Sequence, residues 1–213
     1  MLDYGKKTYI MGILNVTPDS FSDGGDYTNI DIAVNHAKEM IELGADMIDL
    51  GGESTRPGHK FVSAEEEISR IVPVIKRLKE EIDVPISIDT YKSEVAEEAL
   101  KLGVDMVNDV WGLTYDGKMA DVVAKYDGEV CIMHNQEGTT YDKDIMEAIK
   151  EFLQNSIDMA LKAGVKKEKI VLDPGIGFGK TYEQNIEVLE RLGELRDLGY
   201  PVLLGTSRKS VLG

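Results

Sequence analysis

Short apolar runs alternate with stretches of helical periodicity along the whole chain. The apolar runs predict seven β-strands, near 8–15, 46–51, 85–89, 104–109, 129–134, 169–173 and 201–205. The segments between them predict helices near 31–43, 64–80, 92–102, 117–126, 143–164 and 183–198. Because parallel strands need crossover helices, this alternation leaves two architectures open, a doubly wound sheet and a (β/α)8 barrel.

Polar residues at the ends of the apolar runs favour the barrel. In a barrel the C-terminal ends of all strands open onto one face, where the functional groups lie. The segments IDT, VND and LDPG place carboxylates where burial would be costly without a partner. We therefore expect an α/β fold of the (β/α)8 TIM-barrel class, forming a single domain over residues 1–213.

The seven predicted β/α units are one short of a full barrel. Strand seven leads into GTSRKSVLG, and Gly213 is the last residue. A typical barrel has ~250 residues, so we expect an eighth strand and its helices, roughly 40–60 residues, to be missing at the C-terminal side. On this expectation the domain is C-terminally incomplete.

Composition excludes several classes of partner. The net charge of −15 provides no basic field for nucleic acid or for an anionic membrane surface. No apolar stretch approaches the ~20 residues of a membrane span. Cys131 is the only cysteine, which rules out a disulfide within the chain and favours a cytoplasmic protein. The three histidines lack the spacing of a zinc site.

Seven motifs, taken in order, closely resemble the dihydropteroate synthase family: MGILNVTPDSFSDGG, GGESTRPG, SIDT, VNDV, MHN, LDPGIGFGK and GTSRKS. The resemblance implies a transferase of folate biosynthesis and a target of sulfonamides. It implies the condensation of 6-hydroxymethyl-7,8-dihydropterin pyrophosphate with p-aminobenzoate to 7,8-dihydropteroate and pyrophosphate, assisted by Mg²⁺. It also implies a homodimer.

The same resemblance assigns the pterin ligands. Asp173 matches the carboxylate that accepts hydrogen bonds from the pterin ring, and Asp89 and Asn108 match further ligands of the pterin edge. A carboxylate suits this role because it accepts two neighbouring N–H donors in a charge-assisted pair. The alternatives are a helix N-cap for Asp89 and turn residues for Asn108 and Asp173.

A second group of matched residues is implied to hold p-aminobenzoate. These are Ser207, Phe178 and Lys209, of which Lys209 is also implied to reach the pterin. Gly205 and Arg208 are implied to bind substrate. The segment TSRKS follows a strand and is expected to open a helix, whose N–H groups favour an anion. Ordinary packing for Phe178 and an exposed basic pair for Arg208 and Lys209 are the alternatives.

Two long loops and one asparagine complete the implied site. Asn15 matches the magnesium ligand, with a turn-forming asparagine as the alternative. The loop residues are expected to close over the substrates, or else to be ordinary surface: Phe21, Ser22, Asp23, Thr55, Arg56 and Pro57. An Arg and a His on strand eight would complete the pyrophosphate site, and neither is present. His134 fits a packed histidine and a functional one equally well.

The resemblance implies a dissociative reaction, in which negative groups stabilise a cation at the pterin C9 carbon. The residues expected to act in it are Asp89, Asp173, Lys209, Asp23 and Arg56. A pterin-dependent methyltransferase and a noncatalytic pterin-binding protein are the alternatives. GIGFGKT is not a nucleotide-binding P-loop, because Pro174 stands where that motif requires its first glycine.

Overall fold

The computed structural model describes residues 2–16, 26–53, 61–207 and 209, with side chains described for the same residues except 26–28. The chain divides into two compact units, Met1–Asn108 and Asp109–Gly213. The single domain expected over residues 1–213 stays a prediction.

The first unit is a run of parallel β/α repeats. Its elements are β1 (Met11–Asn15), α1 (Asp26–Glu42), β2 (Met47–Gly51), α2 (Ala64–Glu81), β3 (Ile86–Asp89), α3 (Ser93–Lys101) and β4 (Met106–Asp109), whose last residue begins the second unit. The strands pair in chain order, β1 with β2, β2 with β3 and β3 with β4, all parallel. Apolar side chains from strands and helices form its core, including Leu14, Ile48, Leu50, Ile71, Ile75 and Ile88.

The second unit continues the same alternation. Its elements are α4 (Met119–Lys125), β5 (Glu129–Met133), α5 (Ile145–Ala163), a 3₁₀ turn (Lys167–Lys169), β6 (Ile170–Asp173), α6 (Tyr182–Glu190) and a second 3₁₀ segment (Leu192–Leu198). Strand β5 pairs in parallel with β6 and aligns Met133 with Asp173. Its buried core includes Val130, Ile132, Met146, Ile149, Leu153 and Leu172.

Two predicted elements differ in the structure. The seventh strand, predicted near 201–205, is reduced to one parallel bridge between Leu172 and Val202. The backbone of Leu172 still donates to Pro201 and accepts from Leu203, so the chain runs beside β6 without forming a regular strand. The helix predicted at 183–198 ends at Glu190, and a 3₁₀ segment containing Gly193 follows, consistent with the low helix propensity of glycine.

Local sequence signals explain where several helices begin and end. The hydroxyl of Ser63 accepts from the backbone N–H of Glu66 and caps α2. Gly164 ends α5 in the left-handed conformation, with φ of 103°, which favours glycine. No described helix combines the length and apolar character needed to cross a membrane.

Candidate active site

Three expected site residues of the first unit lie in one row at the C-terminal ends of its strands. Asn15 is in register with Gly51, Gly51 with Asp89, and Asp89 with Asn108. Residues in register on parallel strands direct their side chains to the same face of the sheet. The structure therefore brings Asn15, Asp89 and Asn108 to one edge and one face, as the positions of their strand ends predicted.

Gly51 leaves room in this row for two oxygen atoms. A Cβ on this residue would lie 3.1 Å from Asn15 Oδ1 and 3.7 Å from Asp89 Oδ2. Both oxygens thus face the space above the glycine. An amide oxygen and a carboxylate oxygen are the hard donors that Mg²⁺ accepts, so the residues present fit the expected metal.

Asp49 belongs to this site, although the sequence analysis did not single it out. It is two residues before Gly51 on the same face of β2, and it is 5% exposed. Its Oδ2 accepts a hydrogen bond of 3.1 Å from Asn108 Nδ2. Burial raises the pKa of the Asp49 carboxyl, and the neighbouring Ser87 and Asn108 side chains offset this only in part.

The hydrogen bond from Asn108 to Asp49 also fixes the amide orientation of Asn108. With its nitrogen donating to Asp49, Asn108 has its oxygen left to accept from a ligand. The sequence signal that could have revealed Asp49 is a carboxylate inside the apolar run MIDLG rather than at its end.

A buried ion cluster lies next to the segment that carries Thr55, Arg56 and Pro57. Lys92 Nζ contacts Glu53 Oε2 and Glu67 Oε2, each at 2.6 Å. The other oxygen of Glu53 accepts from the backbone N–H of Val62 at 2.9 Å. The hydrogen bond therefore ties residue 53 to residue 62 across the intervening segment. The shared contact with Lys92 ties residue 53 to Glu67 of α2.

In the second unit Asp173 ends β6 and is 5% exposed. Its Oδ1 accepts a hydrogen bond of 2.7 Å from the backbone N–H of Gly175, so the alternative role in a turn is present as well. Burial raises the pKa of the Asp173 carboxyl to about 6, against the lowering effects of the Gly175 N–H and of the Lys180 and Lys209 charges. Additional hydrogen-bond donors would therefore stabilise the ionised form of this buried carboxylate.

Lys180 is buried beside Asp173 and holds the turn that follows β6. Its Nζ lies 2.9 Å from each of three atoms: Gly175 O, Phe178 O and His134 Nδ1. His134 is 2% exposed, and burial, aided by the Lys180 charge, lowers its pKa to about 3. His134 is thus a buried, neutral imidazole in contact with Lys180, an arrangement that agrees with the packed role.

Lys209 and Phe178 form the expected aromatic and cationic part of the same unit. Lys209 Nζ lies 4.0 Å from the centroid of the Phe178 ring, a cation–π distance. Gly205 lies beside the Asp173 carboxylate, since a Cβ there would be 3.6 Å from Asp173 Oδ2. Ser207 lies in an exposed turn, and the helix expected after it is outside the described residues.

Asp109 has a structural role. Its two carboxylate oxygens accept from the backbone N–H groups of Trp111 and Leu113, at 2.9 Å and 2.8 Å. Leu113 has a φ of 69°, and the two bonds stabilise this left-handed turn. The buried carboxylate of the VND motif is therefore satisfied by the backbone.

Seven expected site residues lie outside the described part of the chain: Phe21, Ser22, Asp23, Thr55, Arg56, Pro57 and Arg208. Their roles stay predictions.

Comparison with known proteins places this geometry in one family. A family model described as pterin binding enzyme matches residues 11–213. The dihydropteroate synthase of Clostridium beijerinckii is 60% identical over 209 residues, which are 98% of this chain and 77% of that protein. The dihydropteroate synthase of Bacillus subtilis is 53% identical over 212 residues, covering 100% of this chain and 74% of that protein.

Solved structures give the same result. A Clostridium difficile dihydropteroate synthase structure with pteroic acid is 74% identical, with a TM-score of 0.98 over 100% of this chain and 81% of its own. A Xanthomonas albilineans dihydropteroate synthase structure with 4-aminobenzoic acid is 43% identical, with a TM-score of 0.92 over 98% of this chain and 76% of its own. This similarity confirms the predicted (β/α)8 barrel class. The chain therefore belongs to the pterin-binding enzyme family and, within it, to the dihydropteroate synthases, which are transferases.

Proposed function

We propose that this chain joins 6-hydroxymethyl-7,8-dihydropterin pyrophosphate to p-aminobenzoate and so forms 7,8-dihydropteroate and pyrophosphate. The observation that carries the proposal is the buried Asp173 carboxylate at the end of β6. It lies in a chain 74% identical to a synthase solved with pteroic acid, a molecule that contains both a pterin and an aminobenzoate group.

Asp173 suits the donor-rich edge of the pterin ring. The 2-amino group and the neighbouring ring N–H present two adjacent donors, and an ionised carboxylate accepts both. Asp173 Oδ1 already accepts a hydrogen bond from Gly175 N–H at 2.7 Å. The second lone pair of Oδ1 and the other oxygen, Oδ2, can accept hydrogen bonds from the ligand. The first unit, taken by itself, also offers acceptor oxygens at its strand ends, on Asn108 and Asp89.

The reaction breaks the bond between C9 and the pyrophosphate oxygen, and pyrophosphate leaves with the electron pair. The amine nitrogen of p-aminobenzoate then forms the new bond to C9 and loses one proton to solvent or to the departing pyrophosphate. Fixed carboxylates stabilise the positive charge that develops at C9. The chain supplies position and charge rather than a strong base, which agrees with a neutral, lysine-bonded His134.

Asn15 is the residue that would hold Mg²⁺, with Asp89 Oδ2 facing the same space above Gly51. The bound ion would neutralise charge on the pyrophosphate. In the described residues no group of three or more His, Cys, Asp or Glu side chains could hold a metal. A magnesium ion coordinated by one asparagine, water molecules and substrate phosphate is compatible with this finding.

For p-aminobenzoate we propose the surface formed by Phe178, Lys209 and Ser207. The ring of Phe178 is half-buried with Lys209 Nζ above it, so it offers an apolar wall beside a cation. The substrate combines a benzene ring with a carboxylate, and this pair of groups matches both features. Thr55, Pro57, Phe21, Ser22 and Arg208 remain proposed contacts of the same substrate, and the cytoplasm and the homodimer remain proposals.

The test is a direct assay of both products. Purified protein, both substrates and Mg²⁺ should give dihydropteroate and pyrophosphate in equal amounts. Omitting p-aminobenzoate should abolish the pteroate product. Pterin binding without any condensation would support the noncatalytic alternative, and methyl transfer from a methylated folate would support the methyltransferase.

A further inference from the structure

Lys180 is a charged residue that neither the resemblance nor the proposed reaction uses. Its side chain is buried, with the residue 8% exposed, in a turn close to two expected ligand-binding residues. Burying an ammonium group is costly unless its donors are satisfied. The buried charge therefore calls for an explanation.

The contacts of Lys180 account for all three of its N–H donors. Two donors reach the carbonyl oxygens of Gly175 and Phe178, and the third reaches His134 Nδ1, each over 2.9 Å. The two carbonyl groups lie near opposite ends of the Pro174–Gly179 turn. The lysine therefore fixes the backbone that presents Gly175 N–H to Asp173 and the Phe178 ring to Lys209.

The turn is also closely packed against its neighbours, one of which is Lys180 itself. A Cβ on Gly175 would lie 2.0 Å from His134 O and 3.3 Å from Lys180 Nζ. The turn thus lies directly against the residue that follows β5, and Gly175 at φ of 72° is in the left-handed region.

The charge of Lys180 also acts on Asp173. Among the described residues, the charges of Lys180 and Lys209 act on this carboxylate, and the ring of His134 contacts Lys180. The Gly175 N–H opposes the effect of burial on the Asp173 pKa most strongly, followed by the Lys180 charge and then the Lys209 charge, whereas His134 is neutral. In return, burial lowers the pKa of Lys180 to about 7 although the Asp173 charge raises it.

We propose that Lys180 is a positioning residue of the synthase, which holds the Pro174–Gly179 turn and keeps Asp173 ionised for the pterin. This inference rests on the proposed function, because it takes Asp173 as a pterin ligand. Lys180 itself need not touch either substrate.

The experiment measures the affinity of a pterin analogue by calorimetry between pH 5.5 and pH 8.5. The proteins are the unsubstituted chain, Lys180→Met and, as a matched control, Lys162→Met on the exposed surface of α5. Without the lysine charge, Asp173 is protonated at a higher pH. The acid limb of the affinity profile, meaning the range in which pterin affinity falls as the pH is lowered, must then move to higher pH as well. We expect the loss of affinity at pH 6 to exceed that at pH 8.5 by ~3- to 10-fold, because one pKa unit corresponds to a factor of ten.

The effect of the Lys180 charge should vanish at pH 8.5, because Lys180 loses its own proton above about 7, and any loss of affinity that remains there measures the contribution of the turn. An equal loss of affinity at every pH would overturn the inference and leave Lys180 a structural residue. A shift of the acid limb in Lys162→Met would overturn it too, since any loss of positive charge would then suffice.

A second variant keeps the test decisive if Lys180→Met does not fold. Lys180→Gln retains two N–H donors for the carbonyls but carries no charge, and it must shift the acid limb in the same direction. An unshifted limb in this variant would overturn the proposed effect on Asp173. If the unsubstituted chain itself does not bind the pterin analogue, the proposed function fails, which is a different result from an unshifted limb.

Discussion

Replacing Asp173 by asparagine should stabilise the fold while weakening pterin binding. The carboxylate is 5% exposed, and its folded pKa of about 6 lies above the ordinary value of 3.8. A raised pKa means that the folded protein binds the proton more tightly than the unfolded chain. The free energy of unfolding therefore decreases as the pH rises from 3.8 to about 6, and it stays lower at higher pH.

The magnitude follows from the two pKa values. Their difference corresponds to about 3 kcal/mol of destabilisation once Asp173 is fully ionised. An asparagine resembles the protonated carboxyl and can keep the bond from Gly175 N–H, so Asp173→Asn should recover part of this energy. The figure is an upper bound, because Lys180 and Lys209 lose the negative charge that stabilises their own ionised forms.

Urea unfolding at pH 7.5 and at pH 3.5 measures the effect. We expect Asp173→Asn to be the more stable protein at pH 7.5, with most of the advantage lost at pH 3.5, where the carboxyl is protonated in the folded state and mostly protonated in the unfolded chain. Pterin affinity should fall by about 10- to 100-fold at pH 7.5, because a hydrogen bond to a charged group contributes about 1.5–3 kcal/mol. A less stable variant at pH 7.5, or an unchanged pterin affinity, would refute the reasoning.

Three further changes test other parts of the molecule. Lys92→Met should lower the free energy of unfolding by about 3–5 kcal/mol in urea, because it leaves two buried carboxylates uncompensated; the control Lys101→Met, in an exposed ion pair, should cost less than about 1 kcal/mol. Asp49→Ala should raise the KM for the pterin substrate and leave the KM for p-aminobenzoate unchanged, because Asn108 loses the acceptor that fixes its amide; a stable variant with normal kinetics would contradict this. Ser207→Ala should raise the KM for p-aminobenzoate alone in steady-state assays, and equal changes for both substrates would assign Ser207 a structural role.

The first half of the candidate site was predictable because it depends on where strands end. The apolar runs marked β1, β3 and β4 to within a few residues, and the alignment of parallel strands placed Asn15, Asp89 and Asn108 in one row. The same rule placed Asp173 at the end of β6. Strand ends are a local property of the sequence, and parallel pairing converts them into a shared edge.

The supporting residues could not be predicted, because each depends on a partner distant in the chain. Asn108 and Asp49 are 59 residues apart, Lys92 and Glu53 are 39 apart, and Lys180 and His134 are 46 apart. Nothing in the local pattern distinguishes a buried lysine from the many exposed ones. Side-chain partners of this kind become visible only when the folded backbone is known.

The electrostatic field around Asp173 depends both on a residue predicted from the sequence, Lys209, and on one found only in the structure, Lys180. The chain carries a net charge of −15, which repels an anionic substrate at long range, but exposed charges are largely screened beyond ~8–10 Å in physiological salt. Charges withdrawn from water are screened less, so the buried Lys180 and the half-buried Lys209 act more strongly on Asp173 than an equal number of fully exposed lysines. The positive charge of these lysines favours the ionised form of Asp173, while Gly175 N–H is the hydrogen-bond donor given to its carboxylate in the structure. The N–H groups at the edge of a pterin ring would provide further donors. The field around Asp173 is therefore set by these two neighbouring lysines rather than by the overall charge, which is how an acidic chain can bind a pterin that bears pyrophosphate.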